Sequence, residues 1–347
     1  SCGEDVHSVG ARLESLTLII PCHFPRPPQD WIRPYYQRVA DRVHEVILVD
    51  DASPYSLKDL DHPRIRHLSN SKTMGPAFCR NRGAEAATTD QLGFLDADVY
   101  LPPELLDRVD RQFGAGYDAF VGQIDLDRPR SGSLVADHYN LRMRHNYRTT
   151  DVVDALYSSC AFIRRSVFEE VGGFDEGYLV PSVEDAELGL RLSQHGWAIR
   201  VSHDIVFAHR NDLGLGSLLR SDFVRSRDRV ELLAKKRARA TLGKTGRFLS
   251  SPGNQLLSLA AVAATPVLVA LGAMWNAPAM LPLGPVAFYG LSAPYFVEIA
   301  REGRPLLFLT SLVLLPVEMT AVLCGVSIGV ARMIVRRVTG RSRGGAD

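Results

Sequence analysis

The fold is decided by a stretch running from Gly93 to Leu106, GFLDADVYLPPELL. An apolar run, Leu92 to Leu95, reads as a buried strand and climbs into two aspartates, Asp96 and Asp98. Pro102 and Pro103 then open a helix, where proline is tolerated because the first-turn N–H groups have no intrahelical partner. Two carboxylates this close repel, and one takes up a proton unless a cation lies between them.

The segments around this stretch alternate in the same way. Strands are expected at Leu16–Pro21, Glu45–Ser53, Arg64–Leu68 and Gln91–Tyr100, and helices at Gln29–Val43 (starting late because of Pro34), Gly75–Thr88 and Pro102–Phe113. The strands are continuously apolar rather than alternating, which indicates an α/β domain with a mostly parallel sheet covered on both faces. In such sheets ligands bind beyond the carboxyl ends of the strands. The second strand also ends on acid, Asp50 and Asp51, so four carboxylates are expected at one edge. Alternate residues of an extended segment point the same way, which lets Asp96 and Asp98 approach a common ion. Hard oxygen ligands suit Mg²⁺ or Mn²⁺. A turn or helix cap is the alternative for D-x-D alone, and the neighbouring VDDAS weighs against it. There is no G-x-G-x-x-G after the first strand and no G-x-x-x-x-G-K-[ST], which argues against dinucleotide and P-loop sites.

Composition divides the chain of 347 residues. Residues 1–212 hold 23 basic and 32 acidic side chains, a net of −9, whereas residues 213–247 hold 10 and 3, a net of +7. An acidic body beside a basic strip argues against nucleic acid as a partner. The five cysteines, Cys2, Cys22, Cys79, Cys160 and Cys324, show no metal-like spacing and read as buried or incidental thiols. No apolar leader is expected in SCGEDVHSVGARLE.

The last third is apolar. Gln255–Trp275 carries no charge and Pro305–Ala331 carries one, Glu318. Each exceeds the roughly 20 residues needed to cross a bilayer. Between them Ala277–Val297 is uncharged with four prolines. Lys235, Lys236, Arg237, Arg239, Lys244 and Arg247 precede the first segment, and Arg332, Arg336, Arg337, Arg341 and Arg343 lie at or beyond the end of the last. The positive-inside rule places both flanks in the cytoplasm and favours two spans, but the basic loop Arg301–Arg304 favours three. Two is the preferred reading. Leu218, Leu219, Phe223, Val230 and Leu233 recur between arginines, as in a basic interfacial helix. The expected domains are a catalytic domain over 1–212, this amphipathic region over 213–250, a membrane domain over 251–337 and a basic cytoplasmic tail over 338–347.

LTLIIPCH, LVDDAS, GPAFCRNRG, FLDADVY and GGFDEGYLVPSVEDAELGLRLSQHGW, in this order, resemble family 2 glycosyltransferases of the membrane-anchored bacterial type, which have the GT-A fold. The likeness covers Leu16 to Arg210. It implies a nucleotide-diphospho-sugar donor bound across the strand ends, contacted by Pro21, His23, Asp50, Asp51, Arg80 and Asp96. It implies Mn²⁺ or Mg²⁺ on Asp98 and Asp96, with His209 as a further ligand. In VEDAE it implies Asp185 as general base of an inverting transfer and Glu184 as an acceptor-positioning group; by local sequence alone these acids simply suit a helix's first turn. GGFDEGY is expected to shape the acceptor side. The region before the membrane segments lacks the Q-x-x-R-W of processive relatives, which favours transfer of one sugar at a time. The acceptor classes implied are a polyprenyl phosphate, a glycolipid or a growing glycan, met at the inner membrane by a multi-pass protein whose catalytic domain faces the cytoplasm. Two other readings stand beside this. A haloacid-dehalogenase-type phosphatase also uses D-x-D, but on its first strand and with Thr or Val where this chain has Tyr100. The other is a nucleotide-binding membrane protein without activity, against which Asp98 and Asp185 speak.

Overall fold

The computed structural model describes residues 12–125, 133–147, 150–234 and 253–339. The basic run Lys235–Arg247 and most of the expected tail fall outside these residues. The chain divides into two units, Ser1–Pro129 with Thr150–Arg210, and Arg130–Thr149 with Asn211–Asp347. The compositional boundary at residue 212 therefore falls beside the start of the second unit, but that unit also claims residues 130–149.

The first unit is built on nine strands in the order β3-β2-β1-β4-β8-β6-β9-β5, with β7 paired to β9. These are β1 (Leu13–Cys22), β2 (Val43–Asp50), β3 (Ile65–Ser69), β4 (Gln91–Leu95), β5 (Val99–Tyr100), β6 (Ala119–Ile124), β7 (Val152–Val153), β8 (Cys160–Arg164) and β9 (Ile199–His209). The pairs β1–β2, β2–β3, β1–β4 and β6–β9 are parallel, as continuous apolar strands require, while β8 inserts antiparallel between β4 and β6. The helices of this unit are α1 (Ile32–Ala40), α2 (Pro76–Ala86), α3 (Leu106–Gly114), α5 (Arg165–Glu170) and α6 (Glu184–Gln194). Leu18, Ile19, Ile20, Phe94, Phe120 and Phe162 are fully buried in the sheet's core.

One sequence expectation is met and another changes here. Pro21, expected at the end of the first strand, lies within β1 opposite Val49. The strand expected over Gln91–Tyr100 stops at Leu95, and Asp96–Asp98 form a turn closed by Val99 N–H donating to the Asp96 carbonyl.

The second unit is helical: α4 (Leu134–Tyr147), α7 (Leu215–Ala234), α8 (Gly253–Met274), α9 (Leu283–Leu291), α10 (Ala293–Arg301) and α11 (Pro305–Thr339). By length and composition α8 and α11 could each cross a membrane, and the pair α9–α10, bent by 54°, could form a broken third span. In α7 the most buried residues are Leu218, Asp222, Ser226 and Leu232; of the expected stripe Leu218, Leu219, Phe223, Val230 and Leu233, Leu218 is buried and the other four are part-exposed. Asp222 faces inward because Arg142 of α4 pairs with it at 2.9 Å.

Close packing fixes α6 against the chain before β8. A Cβ added at Gly189 would lie 2.4 Å from the Asp154 carbonyl oxygen. We predict that Gly189→Ala costs about 1–3 kcal/mol, the usual range for overpacking, seen as a lowered melting temperature; an unchanged melting temperature would show that α6 can slide at no cost.

Candidate active site

The turn after β4 is the centre of the site. Asp96, Asp98 and His209 each offer one ligand atom, and these atoms lie within 4.8 Å of one another. His209 is the last residue of β9, which pairs antiparallel with β5, Val99 opposite His209. Arg210 N–H donates to the Asp98 carbonyl at 2.8 Å, and His209 Nε2–H donates to Asp98 Oδ1 at 3.1 Å. Burial disfavours the Asp98 carboxylate, but His209 outweighs it and holds this group below the usual carboxylate range. Two carboxylates and one imidazole in so small a volume fit Mn²⁺ or Mg²⁺, and a cation would take the place of the proton shared by Asp98 and His209. The aspartates converge through the turn, not through strand alternation. Asp50 and Asp51 follow β2 at the same edge of the sheet, because β2 and β4 both run parallel to β1, but they are not among these ligand atoms.

Arg80 links the turn to α6. It lies on α2, 4% exposed, with Nη2 donating to Asp96 Oδ1 at 2.8 Å and Nη1 to Glu184 Oε1 at 3.2 Å. Burial alone would weaken its charge, but Asp96 and Glu184 reverse that and keep it fully protonated. Glu184, at the start of α6, also accepts the Ser182 N–H at 2.8 Å. Asp185 is half-buried beside it, and its Oδ1 accepts the Ala186 N–H at 2.7 Å. The acids after β4 and at the head of α6 thus share one guanidinium.

Asp51 is buried and spends its carboxylate on the chain before α2. Oδ1 accepts Asn70 Nδ2–H and Met74 N–H, both at 2.8 Å, and Oδ2 accepts Gly75 N–H at 2.9 Å. Asp50 caps its own turn through Ser53 N–H at 2.9 Å; burial opposes ionisation, but the bonds from Ser53 and Ser56 lower its pKa. Between them and that cap, Ala52 sits at φ 54°, a left-handed backbone rare without glycine and characteristic of functional turns. His23, exposed, donates Nδ1–H to the Asp51 carbonyl at 2.9 Å. Cys22, Cys79 and Cys160 are buried, and desolvation pushes the Cys79 thiol up to about 12. Cys324 alone among the described cysteines is exposed.

Pattern reading missed the braces. Asn81, next to Arg80, binds the Phe174 N–H and carbonyl at 2.8 and 2.9 Å and so ties GGFDEGY to α2. Gly172 and Gly173 make that turn possible with φ of 80° and 67°. Arg191 of α6 holds the same turn through the Gly173 carbonyl at 2.6 Å. Arg210 stacks on Trp31 and Tyr100, 4.6 and 4.7 Å from their ring centres. An arginine directly after His209, with aromatics near α1 and β5, was the available signal.

Residues 17–172 match the sequence profile described as Glycosyl transferase family 2. The chain carries a family 2 glycosyltransferase domain. Among curated proteins, this domain is similar to the pre-mycofactocin glycosyltransferase of Mycobacterium tuberculosis, 32% identical over 181 residues, which are 47% of this chain and 37% of that protein. It is also similar to the N-acetylglucosaminyl-diphospho-decaprenol L-rhamnosyltransferase of the same organism, 52% identical over 42 residues, 12% of this chain and 13% of that one. The chain thus spans well under half the length of these curated relatives. A solved mannosyltransferase from Pyrobaculum calidifontis, in complex with GDP-Man and Mn²⁺, superposes with a TM-score of 0.53 over 96% of this chain and 90% of its own, at 17% identity. That likeness shows the GT-A fold. The phosphatase alternative finds no support, since its D-x-D belongs to a first strand and Asp96 follows β4.

Removing the shared guanidinium tests the hub. We predict that Arg80→Met leaves Glu184 buried without its cation and destabilises the domain by about 3 kcal/mol, the lower end of the range for a broken buried pair. Chemical denaturation reads this directly, and a loss below about 0.5 kcal/mol would contradict it.

Proposed function

We propose that the chain moves one sugar from a nucleotide-diphospho-sugar to an acceptor hydroxyl or phosphate, with inversion, at the cytoplasmic face of a membrane. The observation that carries this reading is the group Asp96–Asp98–His209 at the strand ends, joined through Arg80 to Glu184 and Asp185. Asp51, Asp50, Pro21 and His23 line the donor's nucleoside side, with Asp51 also fixing the chain that leads into α2. Asp96, Asp98 and His209 would hold a divalent cation, which would supply charge neutralisation at the departing diphosphate. Asp185 takes the proton from the acceptor hydroxyl as that oxygen bonds to the anomeric carbon and the bond to the diphosphate breaks. Arg80 pairs with Glu184 and holds it in place beside Asp185. The donor class draws support from the mannosyltransferase's GDP-Man, and a lipid-linked acceptor from the decaprenol in the relative's name. The apolar segments supply the membrane.

Calorimetry with UDP, GDP, CDP and dTDP, with Mn²⁺ and then with EDTA, tests this. One nucleotide should bind, at least tenfold more weakly after EDTA. Asp98→Ala should lose that metal-dependent binding. Asp185→Asn should keep it and lose at least a hundredfold in transfer, within the usual contribution of a general base. Binding of none of the four would refute the donor site, and near-normal transfer by Asp185→Asn would refute the base.

A further inference from the structure

We infer that α11 lies in the plane of the membrane surface rather than across the bilayer, with α4 and α7 on its water side and acyl chains on its other side. The helix has 35 residues, about 52 Å at 1.5 Å per residue, against a hydrocarbon core of about 30 Å. Its buried positions, Leu307, Ser311, Leu314, Leu315, Glu318, Met319, Gly325 and Gly329, fall on one broad face along most of its length.

That face is covered by charged helices. Over the first half lies α4: His138 Nδ1 hydrogen-bonds Ser311 Oγ and Nε2 hydrogen-bonds Glu318, each at 2.7 Å, while Arg142 reaches Glu318 at 3.4 Å and Asp137 pairs with Arg304. Over the second half lies α7. Gly329 admits it closely, since an added Cβ would sit 2.7 Å from the Arg227 carbonyl oxygen, and Glu231 pairs with Arg336 at 2.9 Å. In α7, Arg220, Asp222, Arg225, Arg227, Asp228, Arg229 and Glu231 all carry charge. If α11 crossed the bilayer, α7 would enter hydrocarbon with it, at about 2.5–3.5 kcal/mol for each centrally placed charge. The opposite face exposes Leu306, Leu309, Val313, Val317, Ile328 and Val335. Hydropathy alone does not separate the two cases, because a window averages over both faces.

The charge rule points the same way. Three basic clusters need the cytoplasmic side: the run before α8, the loop Arg301–Arg304, and the arginines ending α11. Two spans place the loop wrongly, and three place the last cluster wrongly. If α8 crosses outward, the bent pair α9–α10 returns, and α11 lies flat, all three clusters are inside.

The inference uses no activity and stands apart from the proposed transfer. Its test is depth measurement on the full chain in liposomes. NBD is attached to native Cys324 in a Cys2→Ser background, and separately to Leu306→Cys, Val317→Cys or Val335→Cys with Cys324→Ser added. Quenching is compared between lipids spin-labelled near the headgroup and near the chain end. All four positions should sit at one shallow depth, quenched at least threefold more by the headgroup-proximal label. A spanning helix would put Cys324 and Val317 deep, with Leu306 and Val335 shallow, and would overturn the inference. Absence of quenching at every position would overturn it equally, because the apolar face would then meet water. If the introduced cysteines fail to fold, the native Cys324 alone separates deep from shallow.

Discussion

The catalytic unit depends on one buried guanidinium. Arg80 is buried and pairs with both Asp96 and Glu184. A buried charge is stable only when paired and hydrogen-bonded; here one cation serves two acids from separate segments. The distance between the Asp96–Asp98 turn and the head of α6 is thereby fixed by an ion pair instead of by loop length. Asn81, one residue further along α2, repeats the arrangement with neutral bonds to the GGFDEGY turn. A single helix thus sets the relative positions of the donor-side acids, the α6 acids and the turn between them.

The positions of the first four strands were legible, because continuous apolar runs are a local signal, but their order in the sheet was not. Asp96 and Asp98 were legible as a pair, although the reason offered was wrong: a turn, not an extended segment, brings them together. His209 was found through resemblance and then through its approach to Asp98. What could not be read are contacts between residues far apart in the chain. Arg80 meets Glu184 across 104 positions and Asn81 meets Phe174 across 93. No local periodicity encodes such pairs, and an arginine in a polar helix looks the same whether it faces water or two carboxylates. The antiparallel β8 was similarly silent, since a buried strand carries no mark of its direction.

The second unit shows the opposite failure. There the sequence was read through averages, and the averages hid a face. Glu318 looked like a lone charge in an apolar segment, yet it is fully buried between His138 and Arg142. Likewise α7 looked like a basic amphipathic helix, yet its most buried side is marked by Asp222 and Ser226. In both helices polar residues share the packing surface with leucines: Asp222 and Ser226 beside Leu218 and Leu232 in α7, Ser311 and Glu318 beside Leu307 and Leu314 in α11.

The interleaving of the two units bears on how the protein is made. Residues 130–149 belong with the helical unit but leave the ribosome ahead of β8, α6 and β9. The partners of α4, Asp222 and Glu318, arrive some 80 and 180 positions after the residues they bind. Until then Arg142 and His138 lack these partners. Synthesis therefore runs catalytic sheet first and helical unit last, with α4 waiting. A chain cut after the sheet would carry that waiting helix permanently, its charged groups still facing water and its docking surface never supplied.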